Sequence, residues 1–250
     1  MKFGKRLKQQ MDQSSGEWRD KFLSYKELKK MVNLISSKGA LEYDAQFMNL
    51  LDHEIDKFNA FFIEQEEDFI IRHKELQERI SQVIDKWGPQ PSHMEYKEEM
   101  TNIFKQIVNF HGEMVLLINY SNINYTGLGK ILKKYDKRTG GVIRVHFIER
   151  VWEQPFFTTH LISKLVKDCE TTIETVLPPS TATGIFHEEE AAKAIFRNSV
   201  AALLSMQEMR RGSSTYSQFS LPPLNLPDFE LMIQSLQLIS PIQIPSCINH

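Results

Sequence analysis

Residues 41–87 read LEYDAQFMNLLDHEIDKFNAFFIEQEEDFIIRHKELQERISQVIDKW, a run with neither glycine nor proline. Apolar residues recur at Phe47, Leu50, Leu51, Ile55, Phe58, Phe62, Phe69, Ile70, Leu76, Ile80, Val83 and Ile84, the spacing of one face of an α-helix. The run far exceeds the ~12 residues of an average globular helix, so it needs a partner along its length. Gly88-Pro89-Gln90-Pro91-Ser92 supplies a reversal. The segment from His93 through Met100, Ile103, Phe104, Ile107, Phe110, Met114 and Leu117 to about Tyr120 then offers the antiparallel partner, and the pair reads as a long helical hairpin.

On the N-terminal side, Lys5 to Met11 reads as one short helix. Glu17-Trp18-Arg19-Asp20 opens a second that runs to about Ile35, before Ser36-Ser37-Lys38-Gly39 breaks the pattern. On the C-terminal side, the polar stretch Asn119 to Tyr125 reads as an interruption. Thr126-Gly127-Leu128-Gly129 leads from it into a lysine-bearing helix that Thr139-Gly140-Gly141 ends. Pro155-Phe156-Phe157 precedes a helix from about Thr159 to Thr175. A linker follows Leu177-Pro178-Pro179, and then an alanine-rich helix spans Glu188–Arg211. The last forty or so residues are rich in proline and serine, show no period, and read as a poorly ordered tail. The expected fold class is all-α, without internal repeats.

The chain has 250 residues, of which 41% are hydrophobic and 25% charged, enough to bury a sizeable core. Its formal net charge of −2 excludes attraction to nucleic acid or membrane by a global field, so any basic site must be local. Cys169 and Cys247 stand far apart and form neither a disulfide framework nor a zinc ligand set. With no secretory signal at the N-terminus and no apolar run long enough to span a bilayer, the chain reads as a soluble intracellular protein.

Lys130, Lys133, Lys134 and Lys137 recur at i, i+3, i+4 and i+7, a spacing ordinarily used for an apolar stripe. At 3.6 residues per turn they fall within an arc of about 100°, with Leu128, Ile131, Leu132 and Tyr135 opposite. The helix should therefore dock through its apolar back and present four ammonium groups together. A solvated basic face or a nuclear import signal is the plainer alternative. Two features weigh against it: the face carries no interleaved acid, and a second basic group is expected at the other end of the fold, Lys21, Lys26, Lys29 and Lys30, with Tyr25 one turn before Lys29. A tyrosine hydroxyl can donate to a phosphate oxygen while an adjacent lysine supplies charge; a core tyrosine ringed by snorkelling lysines is the even alternative.

Enzyme signatures fail. Gly127-Leu128-Gly129-Lys130-Ile131 has Asn124 where a phosphate loop needs its first glycine and Ile131 where it needs Ser or Thr. No histidine has a glutamate three residues before it, which excludes the Glu-x-x-His di-iron pattern, and no HExxH occurs. The acidic run Glu64-Gln65-Glu66-Glu67-Asp68 reads as a solvated helix face. Aromatic residues follow the apolar stripes rather than the basic clusters, unlike a single-strand nucleic-acid platform.

Met1-Lys2-Phe3-Gly4-Lys5, Glu17 through Lys30, Glu54-Ile55-Asp56-Lys57-Phe58-Asn59 and Asn122 through Lys137 occur in an order that resembles the SPX domain over roughly residues 1–170. With no further catalytic or transport domain attached, the chain is similar to the stand-alone SPX proteins of plants. The resemblance implies an elongated three-helix bundle with a long antiparallel hairpin and a short N-terminal helical hairpin. With the resemblance covering a domain at 1–170, the composition beyond it divides the chain further into a linker at 171–187, a C-terminal helix at 188–211 and a disordered tail at 212–250. The resemblance also implies a ligand of the inositol hexakisphosphate or inositol pyrophosphate type, no cofactor and no enzymatic activity. The family's phosphate-binding tyrosine and lysines fall on Tyr25, Lys29 and Lys130, its lysine surface cluster on Lys133, Lys134 and Lys137, and Lys2 approaches the same pocket. The implied role is a sensor of phosphate status in nucleus and cytoplasm. It would bind and inhibit MYB coiled-coil transcription factors of the phosphate starvation response when ligand is present, without contacting nucleic acid or membrane itself. Direct binding of nucleic acid or acidic membrane through the same lysines is the alternative. The chain departs from the family in having Ser15-Gly16 where Leu-Pro is common, which removes some preorganisation of a helix start but no ligand position. Exposed charge pairs are worth only ~0.2–1 kcal/mol each, so affinity must come from several convergent contacts and free phosphate should bind poorly.

Overall fold

A computed structural model of the chain describes residues 2–14, 16–35, 41–88, 94–176 and 190–211, with Phe219 and Leu221. Among these residues there are seven α-helices and no strand. They are α1 (Phe3–Gln13), α2 (Tyr25–Leu34), α3 (Leu41–Trp87), α4 (Met94–Thr139), α5 (Ile143–Trp152), α6 (His160–Val176) and α7 (Glu190–Arg211), with 3₁₀ turns at Gly16–Lys21 and Pro155–Phe157. The expected break at 36–39, most of the reversal at 88–92, the linker beyond Val176 and most of the tail at 212–250 lie outside the described residues.

The glycine- and proline-free run forms a single helix, α3, of 47 residues, about 70 Å long at 1.5 Å per residue. Contacts with α4 are antiparallel: along α3 from Phe47 through Phe58 and Phe69 to Arg79, the partners on α4 run backwards from Tyr135 through Tyr120 and Phe110 to Glu99. Phe47, Leu51, Phe58, Phe62 and Phe69 are buried along this seam, each contributing about 1.5–3 kcal/mol by leaving water. α6 closes the bundle over α3 and α4. α7 lies on α4, where Ala202, Leu203 and Met206 bury Val115. No described helix is long and apolar enough to cross a membrane, and Cys169 is a buried free thiol.

Two expectations about the elements are corrected. The lysine-bearing segment is not a separate helix, because α4 runs unbroken through Asn119–Gly129. Its polar residues face inward and fasten neighbours. Asn119 Nδ2 donates to Gln10 Oε1 of α1 at 2.5 Å, and Asn124 Oδ1 accepts from the Leu23 amide at 2.9 Å. Tyr120 Oη donates to the Lys21 carbonyl at 3.0 Å, and Asn122 Nδ2 contacts Met206 Sδ of α7 at 3.0 Å. The second N-terminal helix, in turn, does not run from Glu17 to Ile35. A 3₁₀ turn ends at Lys21, and α2 begins only at Tyr25. The backbone between them is held by α4 through Tyr120 and Asn124, as above, and by α3 through Glu54 and Lys57. Glu54, 2% exposed, accepts from the Ser24 amide at 3.0 Å and from Lys57 Nζ at 2.8 Å; Lys57 also donates to the Phe22 carbonyl at 3.0 Å. A carboxylate at the N-terminus of α2 also suits its dipole. Asn59, the last residue of the same motif, receives the Phe156 amide and donates to Gln154. The Glu54–Asn59 motif thus places Tyr25 without itself reaching the site.

Candidate functional site

The basic face of α4 is built as its period requires. Leu128, Ile131, Leu132 and Tyr135 are buried, and Tyr135 stacks on Phe47 with ring centres 4.7 Å apart. Lys130, Lys133 and Lys137 are exposed and Lys134 half-buried. The one acid in that stretch, Asp136, is spent elsewhere: its carboxylate accepts from the amides of Ile143 and Arg144 at 3.0 and 3.3 Å and caps α5. Gly140 closes α4 with φ of 74°, the left-handed cap that glycine adopts without strain.

α1 and α2 bring the N-terminal residues to this face. Gly127 permits the approach, since a Cβ there would lie 2.4 Å from Leu23 Cδ2 and 3.1 Å from Phe3 Cζ. Gly129, in the same motif, has nothing within 4 Å of its would-be Cβ. Phe3 packs edge-on to Tyr25 at 4.9 Å and carries the Lys130 ammonium 5.8 Å from its ring centre, a cation–π contact. Lys2, Tyr25 and Lys29 line a cleft of about 860 Å³ together with Phe3, Leu7 and Leu23. Lys134 Nζ donates to Asn33 Oδ1 of α2 at 2.7 Å, and Arg138 donates to the carbonyls of Asn33 and Ile35 at the end of α2.

Six of the seven residues expected from sequence therefore converge: Lys2, Tyr25 and Lys29 on the cleft, Lys130 on its Phe3 wall, Lys133 beside Lys130, and Lys134 beside Lys29. Lys137 lies further along the exposed end of α4, and no contact among the described residues ties it to the cleft. Phe3, Arg6 and Asn33 also belong to the site. No sequence spacing signals them, because their roles arise from packing between α1, α2 and α4.

The electrostatics are predominantly positive: Asp12, paired with Arg19 at 2.9 Å, and Glu27 also line the cleft, but neither engages the lysines of the site. Partial desolvation, then the charges of Arg6 and Lys133, lower the Lys130 pKa. Desolvation, then Lys29 and Arg138, lower that of Lys134. Among the described residues none of Lys2, Lys29, Lys130, Lys133, Lys134 and Lys137 is paired with a carboxylate. The N-terminus of α1 adds the positive end of a helix dipole with no acid in its first turn. Burial raises the Tyr25 pKa, which keeps its hydroxyl a donor. No described group of His, Cys, Asp and Glu is arranged to hold a metal ion. The arrangement suits a multivalent anion offering several acceptor oxygens at once.

The SPX domain family model matches residues 1–40 and 88–151, stretches that contain all seven residues. SPX domain-containing protein 3 of Arabidopsis thaliana is 59% identical over 252 residues, covering 98% of this chain and 100% of that protein. SPX domain-containing protein 5 of Oryza sativa subsp. indica is 55% identical over 257 residues, with 98% and 100% covered. Among solved structures, the SPX domain of Chaetomium thermophilum glycerophosphodiester phosphodiesterase 1, in complex with inositol hexakisphosphate, superposes with a TM-score of 0.51 at 21% identity over 70% of this chain and 99% of that one. That likeness is one of fold.

Proposed function

The chain belongs to the SPX domain family, and from that footing we propose that it is an inositol polyphosphate or pyrophosphate sensor rather than an enzyme, with the ligand seated between the N-terminus of α1, Tyr25 and Lys29 of α2, and the lysine face of α4. The observation that carries the proposal is the gathering of lysines without a carboxylate partner from separate elements: Lys2 and Lys29 on the cleft, with Lys130, Lys133 and Lys134 of α4 beside it. Such a cluster repels itself until an anion arrives, and its several donors reward a ligand with many phosphates over one with a single phosphate. The structure of a related fold solved with inositol hexakisphosphate is consistent with that ligand class. Lys137, further along α4, extends the same basic face beyond the cleft.

The partner we propose is a MYB coiled-coil transcription factor of the phosphate starvation response, held off DNA by the liganded protein in nucleus and cytoplasm. The test is retention of that factor's coiled-coil domain on the immobilised full chain, with inositol hexakisphosphate, with orthophosphate, or with neither. Retention only with inositol hexakisphosphate is expected. Equal retention in all three conditions, or none, contradicts a ligand-dependent sensor; gel-shift or vesicle binding without inositol phosphate would favour direct recognition of nucleic acid or membrane.

A further inference from the structure

Arg6 lies one turn after Phe3 on α1, near the point where Phe3 carries the Lys130 ammonium. Its side chain is only 15% exposed, and its charge is one of those that act on Lys130. Unlike the lysines around it, Arg6 is already neutralised: its Nη2 lies 2.5 Å from Glu208 Oε1. Glu208 comes from the other end of the chain, in the last turn of α7, and its side chain is 62% exposed. α7 is seated there by its own contacts. Met206 Sδ meets Asn122 Nδ2 at 3.0 Å, and Arg210 Nη2 donates to Asn122 Oδ1 at 3.2 Å, both on α4. The pair thus joins a mostly buried cation close enough for its charge to act on Lys130 to a largely solvated carboxylate that can swing away at little steric cost.

We propose that Arg6 is a further anion-binding residue of this site and that Glu208 is its resident counter-ion, displaced when a polyphosphate enters. Desolvated arginine beside Lys130 is well suited to phosphate, because its planar fork donates two parallel hydrogen bonds and it is weakly hydrated. Glu208 competes for that fork as an intramolecular carboxylate, so the C-terminal helix sets how much ligand the site needs. By linkage, the ligand loosens the end of α7 to the same degree that Glu208 weakens the ligand. The inference rests on the reading of the lysine face as a polyphosphate site.

Calorimetric titration of the full chain with inositol hexakisphosphate, on the wild type and on R6Q, E208Q and R6Q/E208Q, tests it. E208Q is expected to bind about two- to fivefold more tightly, the range an exposed ion pair commands, R6Q several-fold more weakly, and the double variant like R6Q. A general field effect of the lost negative charge would instead persist in the R6Q background, and that outcome overturns the counter-ion role. So does E208Q binding like the wild type. Binding by R6Q equal to the wild type overturns the anion-binding role of Arg6. Hydrogen exchange at residues 203–211 gives a second reading: ligand should speed exchange there in the wild type but not in E208Q, and no change in the wild type contradicts displacement. If the wild type itself gives no binding, the polyphosphate reading has failed; if it binds and the variants do not differ, only this inference has.

Discussion

The Lys130 ammonium lies over the Phe3 ring with Arg6 and Lys133 acting on it as like charges, and its chemistry sets the pH behaviour of the site. Lys130 and Lys134 both titrate below the ordinary lysine value, first through desolvation and then through neighbouring cations. In the free protein the unfolded chain therefore holds these protons more tightly than the folded one, so these groups favour folding more as pH climbs toward the lysine range. A bound polyanion reverses the sign by favouring the charged forms. Binding should take up protons in that alkaline range, and affinity should fall as pH rises through it. Calorimetry in buffers of different ionisation enthalpy measures the uptake; a null slope at every alkaline pH would contradict the charge state inferred for these lysines. Glu54 acts at the same scale from outside the site. It is buried against Lys57 and the Ser24 amide, so Glu54→Ala leaves a mostly buried ammonium without its carboxylate. Breaking such a pair at one end costs about 3–5 kcal/mol, which chemical denaturation would register as a lowered midpoint; an unchanged midpoint would show that the pair does not hold the α2 junction.

α4 is the element on which sequence and structure diverge most instructively. Its lysine face and apolar back were legible because exposure followed the helical period from Leu128 to Lys137. Its continuity was not, because asparagines and glycines ordinarily mark a break. Here Asn119, Asn122 and Asn124 spend their side chains on α1, α7 and the loop before α2, which turns a run of weak helix formers into a docking ladder. The start of α2 was misread for the same reason, since tertiary bonds from Tyr120 and Asn124 hold a backbone that local pattern alone would continue as helix. The two glycines of the motif separate on this ground. Gly127→Ala forces its new methyl against Leu23 and Phe3, at the roughly 1–3 kcal/mol of an overpacked contact, and should loosen α1 from the site. Gly129→Ala meets nothing and should gain about 1 kcal/mol of helix propensity. Both variants share the propensity gain, so thermal unfolding should place Gly127→Ala below Gly129→Ala by the cost of the clash, and equal midpoints would contradict the role given to Gly127.

Across the whole molecule, a chain of net charge −2 concentrates cations without carboxylate partners where α1 and α2 meet the far end of α4, about a hundred residues on. The long hairpin could be read from the glycine- and proline-free run because nothing but a long partner buries its stripe. Phe3, Arg6 and Glu208 could not, because Phe3 and Arg6 come near Lys130, and Glu208 near Arg6, only once α1 and α7 have packed beside α4. The bundle is thus a scaffold that fixes the spacing of donors, and in the proposed function recognition follows from that spacing rather than from total charge. Titration calorimetry of inositol hexakisphosphate into the full chain, beside its K130A/K133A/K134A variant and an orthophosphate control, tests this most directly. Micromolar or tighter binding by the wild type, lost in the triple variant and absent with orthophosphate, is the predicted result; a triple variant that binds like the wild type would contradict it.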